Sequence, residues 1–398
     1  MQKTTSFFSE RDCCISTSYI TSNFFCPVLR PISSDEFNEI VIEDFGSIPQ
    51  SSIKNNFNEK IEHPSTYTYS SDTENILIKT LKIFAYIIIF PYGLYKLFQF
   101  IAGLIVVPAW IFTKDELNEF KNNKIDKELQ EGSDWKYQTI TVKVDEYKID
   151  ATIVGKNSTL NNGKWILYSV GNASPYEFFF ADIDSYDKEY KEILTELESN
   201  ILFFNYPGVG LSSGFPNREA MAKAYKAMLS FLEDREKGIG ANQIIGYGHS
   251  LGGAVQADAL RTHELKEDIQ YVFVKSRTFS DLSTTTSAKC FKPLDSLIKF
   301  LGWNMDSAKA SKALNAPEII LQTADVKSYE ILNDNSKIIG DGVINKEAAL
   351  AEILLNSNEV ISENKRFIGI PENHNQDLKD IPFLAKEINA FLYGIDQD

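Results

Sequence analysis

Histidine and cysteine are scarce in this chain, at four of each among 398 residues. Three cysteines, Cys13, Cys14 and Cys26, show no metal-ligand spacing and suggest a reducing compartment. The adjacent pair would also accept an acyl group near a membrane. Basic residues are outnumbered, 40 Lys and Arg against 55 Asp and Glu, for a formal net charge of −15, with no basic cluster outside one apolar region. Nucleic acid is thereby excluded as a partner, because binding it relies on cations that neutralise phosphates. No phosphate-cradling loop, dinucleotide fingerprint or calcium loop is present, so neither cofactor nor metal is expected. No basic stretch leads into a short apolar run at the N-terminus, so a cleavable signal peptide is not expected.

What is present is a turn of unusual chemistry. A strand-like run, Gln243 to Tyr247, leads into Gly248-His249-Ser250-Leu251-Gly252-Gly253, and helix-prone residues Ala254 to Leu260 follow. A serine on a sharp strand-to-helix turn occupies a strained backbone, where β-carbons at the flanking positions would collide with strand and helix. Gly248 and Gly252 remove that collision. The turn lifts the Ser250 hydroxyl above the sheet and aims the next N–H, that of Leu251, at an oxyanion forming beside it.

A nucleophilic serine needs a base, an acid and a second oxyanion donor, in the chain order serine, acid, histidine. With four histidines the base is found by elimination. His63 lies in a polar leader, His249 is inside the turn and expected to face away from Ser250, and His263 is about 20 Å along the following helix at 1.5 Å per residue. His374 remains, in Pro371-Glu372-Asn373-His374-Asn375 after a predicted last strand, Lys365 to Ile370. Candidate acids follow the strand Glu318 to Gln322, namely Asp325, Asp334 and Asp341. Asp325 lies nearer the strand end. The second oxyanion donor is expected near Asn172 or Ala173, in the turn after the strand Trp165 to Val170.

These motifs, in this order and spacing, resemble the α/β-hydrolase superfamily from Trp135 to the C-terminus. In hydrolases of this kind the acid sits two residues before a small apolar pair that opens a helix. Asp341 fits this in Gly340-Asp341-Gly342-Val343-Ile344 and is preferred, with Asp325 the alternative. Asn205-Tyr206-Pro207-Gly208, the serine turn and Phe90-Pro91-Tyr92-Gly93-Leu94-Tyr95-Lys96 are similar to the CHLPS-type hydrolases of intracellular bacteria and SidB-like secreted effectors. That resemblance implies a bacterial protein made in the cytoplasm and delivered into a host cell. The expected fold is α/β, a mainly parallel sheet with helices on both faces, opened by a hairpin turning at Asp145-Glu146. A cap is expected at about 276–316, where long connections gate substrates. Arg277-Thr278-Phe279-Ser280 looks like a segment found in membrane-linked members.

Three regions are expected: a polar, partly disordered leader at 1–75, an apolar helical segment at 76–134, and the catalytic domain at 135–398. The stretch Ile76 to Phe112 is uncharged over Ile83 to Tyr95 and again over Leu97 to Thr113. Neither half reaches the roughly twenty residues of a straight span, and Pro91 and Pro108 interrupt it. A re-entrant or interfacial hairpin with Lys79, Lys82, Lys96 and Lys114 at the headgroups is expected. The soluble alternative is a buried helix pair with its lysines snorkelling outward. Together these features predict a membrane-associated, lipase-like serine esterase acting on an acyl or lipid ester. A peptidase or amidase with the same triad, and a vestigial scaffold that binds membranes or a host protein, are the alternatives.

Overall fold

Strands of the catalytic region carry apolar residues on both faces, the pattern of a sheet covered on both sides. The computed structural model describes residues 66–69, 81, 84, 90–112, 117, 134–180, 186–289, 292–357 and 363–394. Most of the leader, with Cys13, Cys14, Cys26 and His63, lies outside the described residues, as do Cys290, Lys79, Lys82, Lys114 and most of 76–89.

The hairpin is β2 (Trp135–Val144) and β3 (Tyr147–Lys156), closed at Asp145, whose φ of 51° suits a tight hairpin turn. There follow β4 (Lys164–Ser169), β5 (Asn200–Phe204), β6 (Gln243–His249), β7 (Gln270–Ser276), β8 (Glu318–Thr323) and β10 (Lys365–Ile370), with a two-residue β9 (Glu330–Ile331). With β1 (Thr66–Tyr69) at one margin, the sheet runs β1-β2-β3-β5-β4-β6-β7-β8-β10-β9 and is parallel from β5 through β10. After β4 the chain goes outward to β5 and returns on the other side as β6. The C-terminal ends of β4 and β6 therefore flank a topological switch point, the crevice where open α/β sheets take their ligands. The polar leader contributes what its composition hides, a strand β1 (Thr66–Tyr69) parallel to β2.

Helix α3 (Arg218–Glu233) starts where the Asn217 side chain accepts the Ala220 N–H at 2.9 Å and packs on α4 (Leu251–Leu260). Helices α2 (Tyr186–Glu196) and α9 (Ile381–Tyr393) pack together. The expected cap, 276–316, begins with a buried stretch, Arg277 to Ser280, and continues as α5 (Leu282–Lys289), α6 (Lys292–Phe300) and α7 (Ser307–Ala313). Helix α7 returns to the sheet layer. It packs on α4, and Lys275 Nζ, fully buried on β7, donates to Ser311 Oγ at 2.7 Å. A last short helix, α8 (Leu350–Leu355), precedes β10.

The described part of the apolar segment is one helix, α1 (Phe90–Val106), followed by a 3₁₀ turn at Pro108–Ile111. Pro91 sits in the first turn, where a missing N–H costs nothing, and Pro108 lies just past the end. Most of the first half of the expected hairpin lies outside the described residues; its second half, α1, lies on the hydrolase domain and is held there by polar and small residues. Gln99 donates to Leu301 O at 2.7 Å, Tyr95 Oη to Phe300 O at 3.1 Å, and Trp303 Nε1 to Gln99 O at 3.0 Å. A β-carbon at Gly103 would fall 2.2 Å from Pro216 O, so only glycine permits this approach. Gly103→Ala should therefore destabilise by about 1–3 kcal/mol in urea unfolding. It should also speed hydrogen exchange over 90–106, and an unchanged exchange rate there would refute the close contact.

Candidate active site

Strand β6 ends at His249 and α4 begins at Leu251, so one residue, Ser250, makes the whole turn. Its φ of 53° and ψ of −118° are strained for any residue with a β-carbon, at a cost on the order of 1–3 kcal/mol. The strain is held by close packing beneath. A β-carbon on Gly252 would lie 2.1 Å from Ser169 O, and one on Gly248 would lie 2.6 Å from Gly253 N. Ser250 N–H donates to Ser276 O at 2.9 Å, which ties the turn to β7.

His374 comes from the loop after β10 and Asp341 from the loop after β9. Ser250 Oγ lies 2.9 Å from His374 Nε2, and His374 Nδ1 lies 2.7 Å from Asp341 Oδ2. All three side chains are buried. The other Asp341 oxygen accepts the N–H groups of Val343 at 2.9 Å and Ile344 at 2.5 Å, and its backbone carbonyl accepts the His374 N–H at 2.9 Å. A carboxylate occupied by donors is an acceptor towards the imidazole. The assignment that follows puts the proton on Nδ1 and leaves Nε2 to accept from the Ser250 hydroxyl. Asp325, the alternative acid, is exposed, and its N–H is engaged with Lys337 O at 2.8 Å.

The turn after β4 comes up against the serine. A β-carbon at Gly171 would sit 3.8 Å from Ser250 Cβ. Asn172 and Ala173 follow, both exposed, and Asn172 O accepts the Ala109 N–H at 3.3 Å. Leu251 opens α4, and the N–H groups of a first helical turn have no partner within the helix. The two backbone segments expected to supply oxyanion donors thus converge on Ser250.

Sequence reasoning sends His249 away from Ser250 and does not foresee its place beside His374. Its ring centroid lies 5.0 Å from that of His374, because the histidine loop folds back over the end of β6. Burial, then the charges of Arg277 and His374, push the His249 pKa well below its ordinary value, so it stands beside His374 as a neutral ring. His263 is elsewhere, its Nε2 2.9 Å from a Glu233 oxygen.

Three groups around the histidine loop escape sequence reasoning. Arg277, buried and with φ of 48°, donates from Nη1 to the carbonyls of Asn373 and Gln376, each at 2.6 Å, and so grips the chain on both sides of His374. Glu189 on α2 accepts the Leu378 N–H at 3.0 Å. Glu372, also buried, has no hydrogen-bond partner for either carboxylate oxygen. Burial raises the Glu189 pKa to about 7 despite the opposing pull of Arg277 and the Leu378 N–H, with Asp377 and Glu372 adding to the rise. The only sequence signal was the run Arg277-Thr278-Phe279-Ser280, which marked the segment and gave no role.

Residues 47–392 match the family described as Chlamydia CHLPS protein (DUF818). The chain belongs to that family. A curated relative is the alpha/beta hydrolase domain-containing protein WAV2 of Arabidopsis thaliana, 27% identical over 125 residues. That stretch is 31% of this chain and 37% of the relative, so the chain spans little more than a third of that protein's length. The CHLPS family chain is also similar to a solved alpha-beta hydrolase from Vibrio vulnificus, with TM-score 0.51 and 16% identity over 83% of this chain and 98% of that one. An esterase of Pyrococcus furiosus, Pf2001, matches with TM-score 0.47 and 16% identity over 67% of this chain and 92% of that one. The fold of this CHLPS family chain is that of the α/β-hydrolases.

Two outcomes test the histidine-loop clamp. Arg277→Met should lower kcat about 100-fold with little change in KM, the effect of a catalytic group displaced by about 1 Å, and Arg277→Lys should recover part of it. For Glu189, a folded pKa raised from 4.5 to about 7 means that the folded state holds the extra proton between those values. Wild-type stability should then fall as pH rises from about 4.5 to about 7. Glu189→Gln keeps an acceptor for Leu378 without that charge. Its melting temperature should exceed wild type at pH 8 and match it at pH 4; equal melting temperatures at pH 8 would contradict the reading.

Proposed function

We propose that this chain is a serine hydrolase that cleaves an ester or related acyl bond through an acyl-enzyme. The observation that carries the reading is the unbroken hydrogen-bond chain from Ser250 through His374 to Asp341, on a turn whose strain holds the serine proud of the sheet. Ser250 Oγ attacks the acyl carbonyl while its proton passes to His374 Nε2, and the carbonyl π electrons move onto oxygen. The N–H of Leu251 and one from Asn172 or Ala173 receive that oxyanion. As the tetrahedral intermediate collapses, the C–O bond to the leaving alcohol breaks and His374 returns the proton to it. Water, deprotonated by His374, then releases the acid and restores Ser250. Asp341 orients the imidazole and stabilises its cation. The neutral state of His249 fits this scheme, because a second positive ring beside His374 would oppose the cation that forms there.

Labelling with a fluorophosphonate, followed by turnover of short p-nitrophenyl esters, tests the assignment. Ser250→Ala should abolish labelling, and His374→Ala and Asp341→Ala should each lower kcat by about 10³-fold or more. Asp325→Ala should behave as wild type. Labelling that survives Ser250→Ala, or a greater loss with Asp325→Ala than with Asp341→Ala, would overturn it.

A further inference from the structure

Surface helices ordinarily turn their apolar side inward. Helix α1 packs Phe100 against Phe215 and buries Ala102, yet keeps a second apolar stripe outward. Leu94, Leu97, Phe98, Ile101 and Ile105 are all exposed, with Phe98 at 47% and Ile105 at 63%. Their spacing of three and four residues places them on one stripe, about 17 Å long at 1.5 Å per residue. The inward side carries the small residues Ala102 and Gly103 and the polar groups of Tyr95 and Gln99. The stripe continues onto another element. On α6, Leu297 and Phe300 are exposed, Phe300 at 67%, and the Phe300 ring packs edge-on against Tyr95 with centroids 5.3 Å apart. A helix from the N-terminal segment and a helix from the expected cap thus share one apolar face.

We propose that this face docks on the surface of a phospholipid bilayer containing anionic lipid. Two features favour that occupant over a protein. First, polar groups bordering the stripe are already satisfied inward. Tyr95 Oη donates to Phe300 O, Gln99 Nε2 to Leu301 O, and Trp110 Nε1 to Leu104 O at 2.8 Å. Protein interfaces carry roughly one hydrogen bond per 100–200 Å², whereas acyl chains offer none, so a face with its polar groups turned inward suits lipid. Second, charge is arranged to match. In a chain of net charge −15, residues 75–114 contain four lysines and no Asp or Glu. Lys96 borders the stripe, its Nζ 5.9 Å from the ring centres of Tyr92 and Tyr95, and cations beside interfacial tyrosines suit anionic headgroups. Among the described residues no helix is long and apolar enough to cross a membrane, and α1 is held against the domain along its inner side, which suits docking on the bilayer surface. The docked segment runs on to Ala109, which holds Asn172 O, and to Phe112, whose ring packs on Phe178 with centroids 4.8 Å apart. The membrane face and the turn beside Ser250 are joined within a few residues.

Co-sedimentation of the full chain with vesicles of phosphatidylcholine and phosphatidylserine, 3:1, tests the proposal. Wild type and Ser250→Ala should pellet alike, because docking needs no hydrolysis. Leu97→Glu/Phe98→Glu/Ile101→Glu should partition at least tenfold less, and the same three positions changed to Ser should also lose binding. Both variants should keep wild-type melting temperature and fluorophosphonate labelling. Wild type remaining in the supernatant, or variants that pellet as well as wild type, would overturn the proposal. So would a dimer in sedimentation equilibrium that the Glu variant dissociates, which would assign the face to a second copy. Neither result would bear on ester hydrolysis, which the labelling experiment reads separately.

Discussion

The site depends on one close approach, that of the first turn of α4 to the end of β4. Gly252 brings the helix backbone against Ser169 O with no room for a β-carbon, and this fixes where the helix starts. A helix starting there leaves Ser250 alone to turn the chain, which is why its backbone is strained and its hydroxyl stands free of the sheet. The same contact brings the turn after β4 to the serine, because Gly171 lies two residues beyond Ser169. Ser250 and the turn after β4 are thus positioned by a single packing event between backbones, not by side chains that could swing.

The proposed base is positioned differently. His374 sits on a loop, and a loop holds an imidazole to tenths of an ångström only if its backbone is tied down. Arg277 supplies that tie by taking two carbonyls on either side of the histidine. Glu189 holds the chain four residues on, and Asp341 binds both the ring and the backbone N–H of His374. The result is an imidazole on irregular backbone with the restraint of a regular element. Of its charged groups Arg277 meets carbonyls and Asp341 meets N–H groups, whereas burial disfavours the charge on Glu189 and Glu372 has no hydrogen-bond partner.

Much of this was legible in the sequence, for reasons particular residues show. The elbow could be read because glycine at 248 and 252 has a steric cause that chance composition rarely copies. His374 could be found because only four histidines exist. Asp341 needed the resemblance to a family, since loops of irregular length leave several carboxylates with equal local claims. The seat of α1 on the domain was not legible because hydropathy counts apolar residues without saying which way they face; Gly103, which permits the close approach to Pro216 O, carries no hydropathic signal. Arg277 and Glu189 stayed hidden because their partners are backbone groups about 100 and 189 residues away in the chain. Strand β1 was missed because Thr and Tyr in a polar leader read as solvent-facing.

That last strand has a bearing on solubility. Strand β2 is ten residues long, and on one side it would present a row of unpaired amides and carbonyls able to template another chain. β1 covers part of that row with four residues, and at the opposite margin the sheet tapers to the two residues of β9. A proteolytic cut that removed Thr66–Tyr69 would bare the amides and carbonyls of Thr141–Val144 on β2 and open them to intermolecular β-pairing.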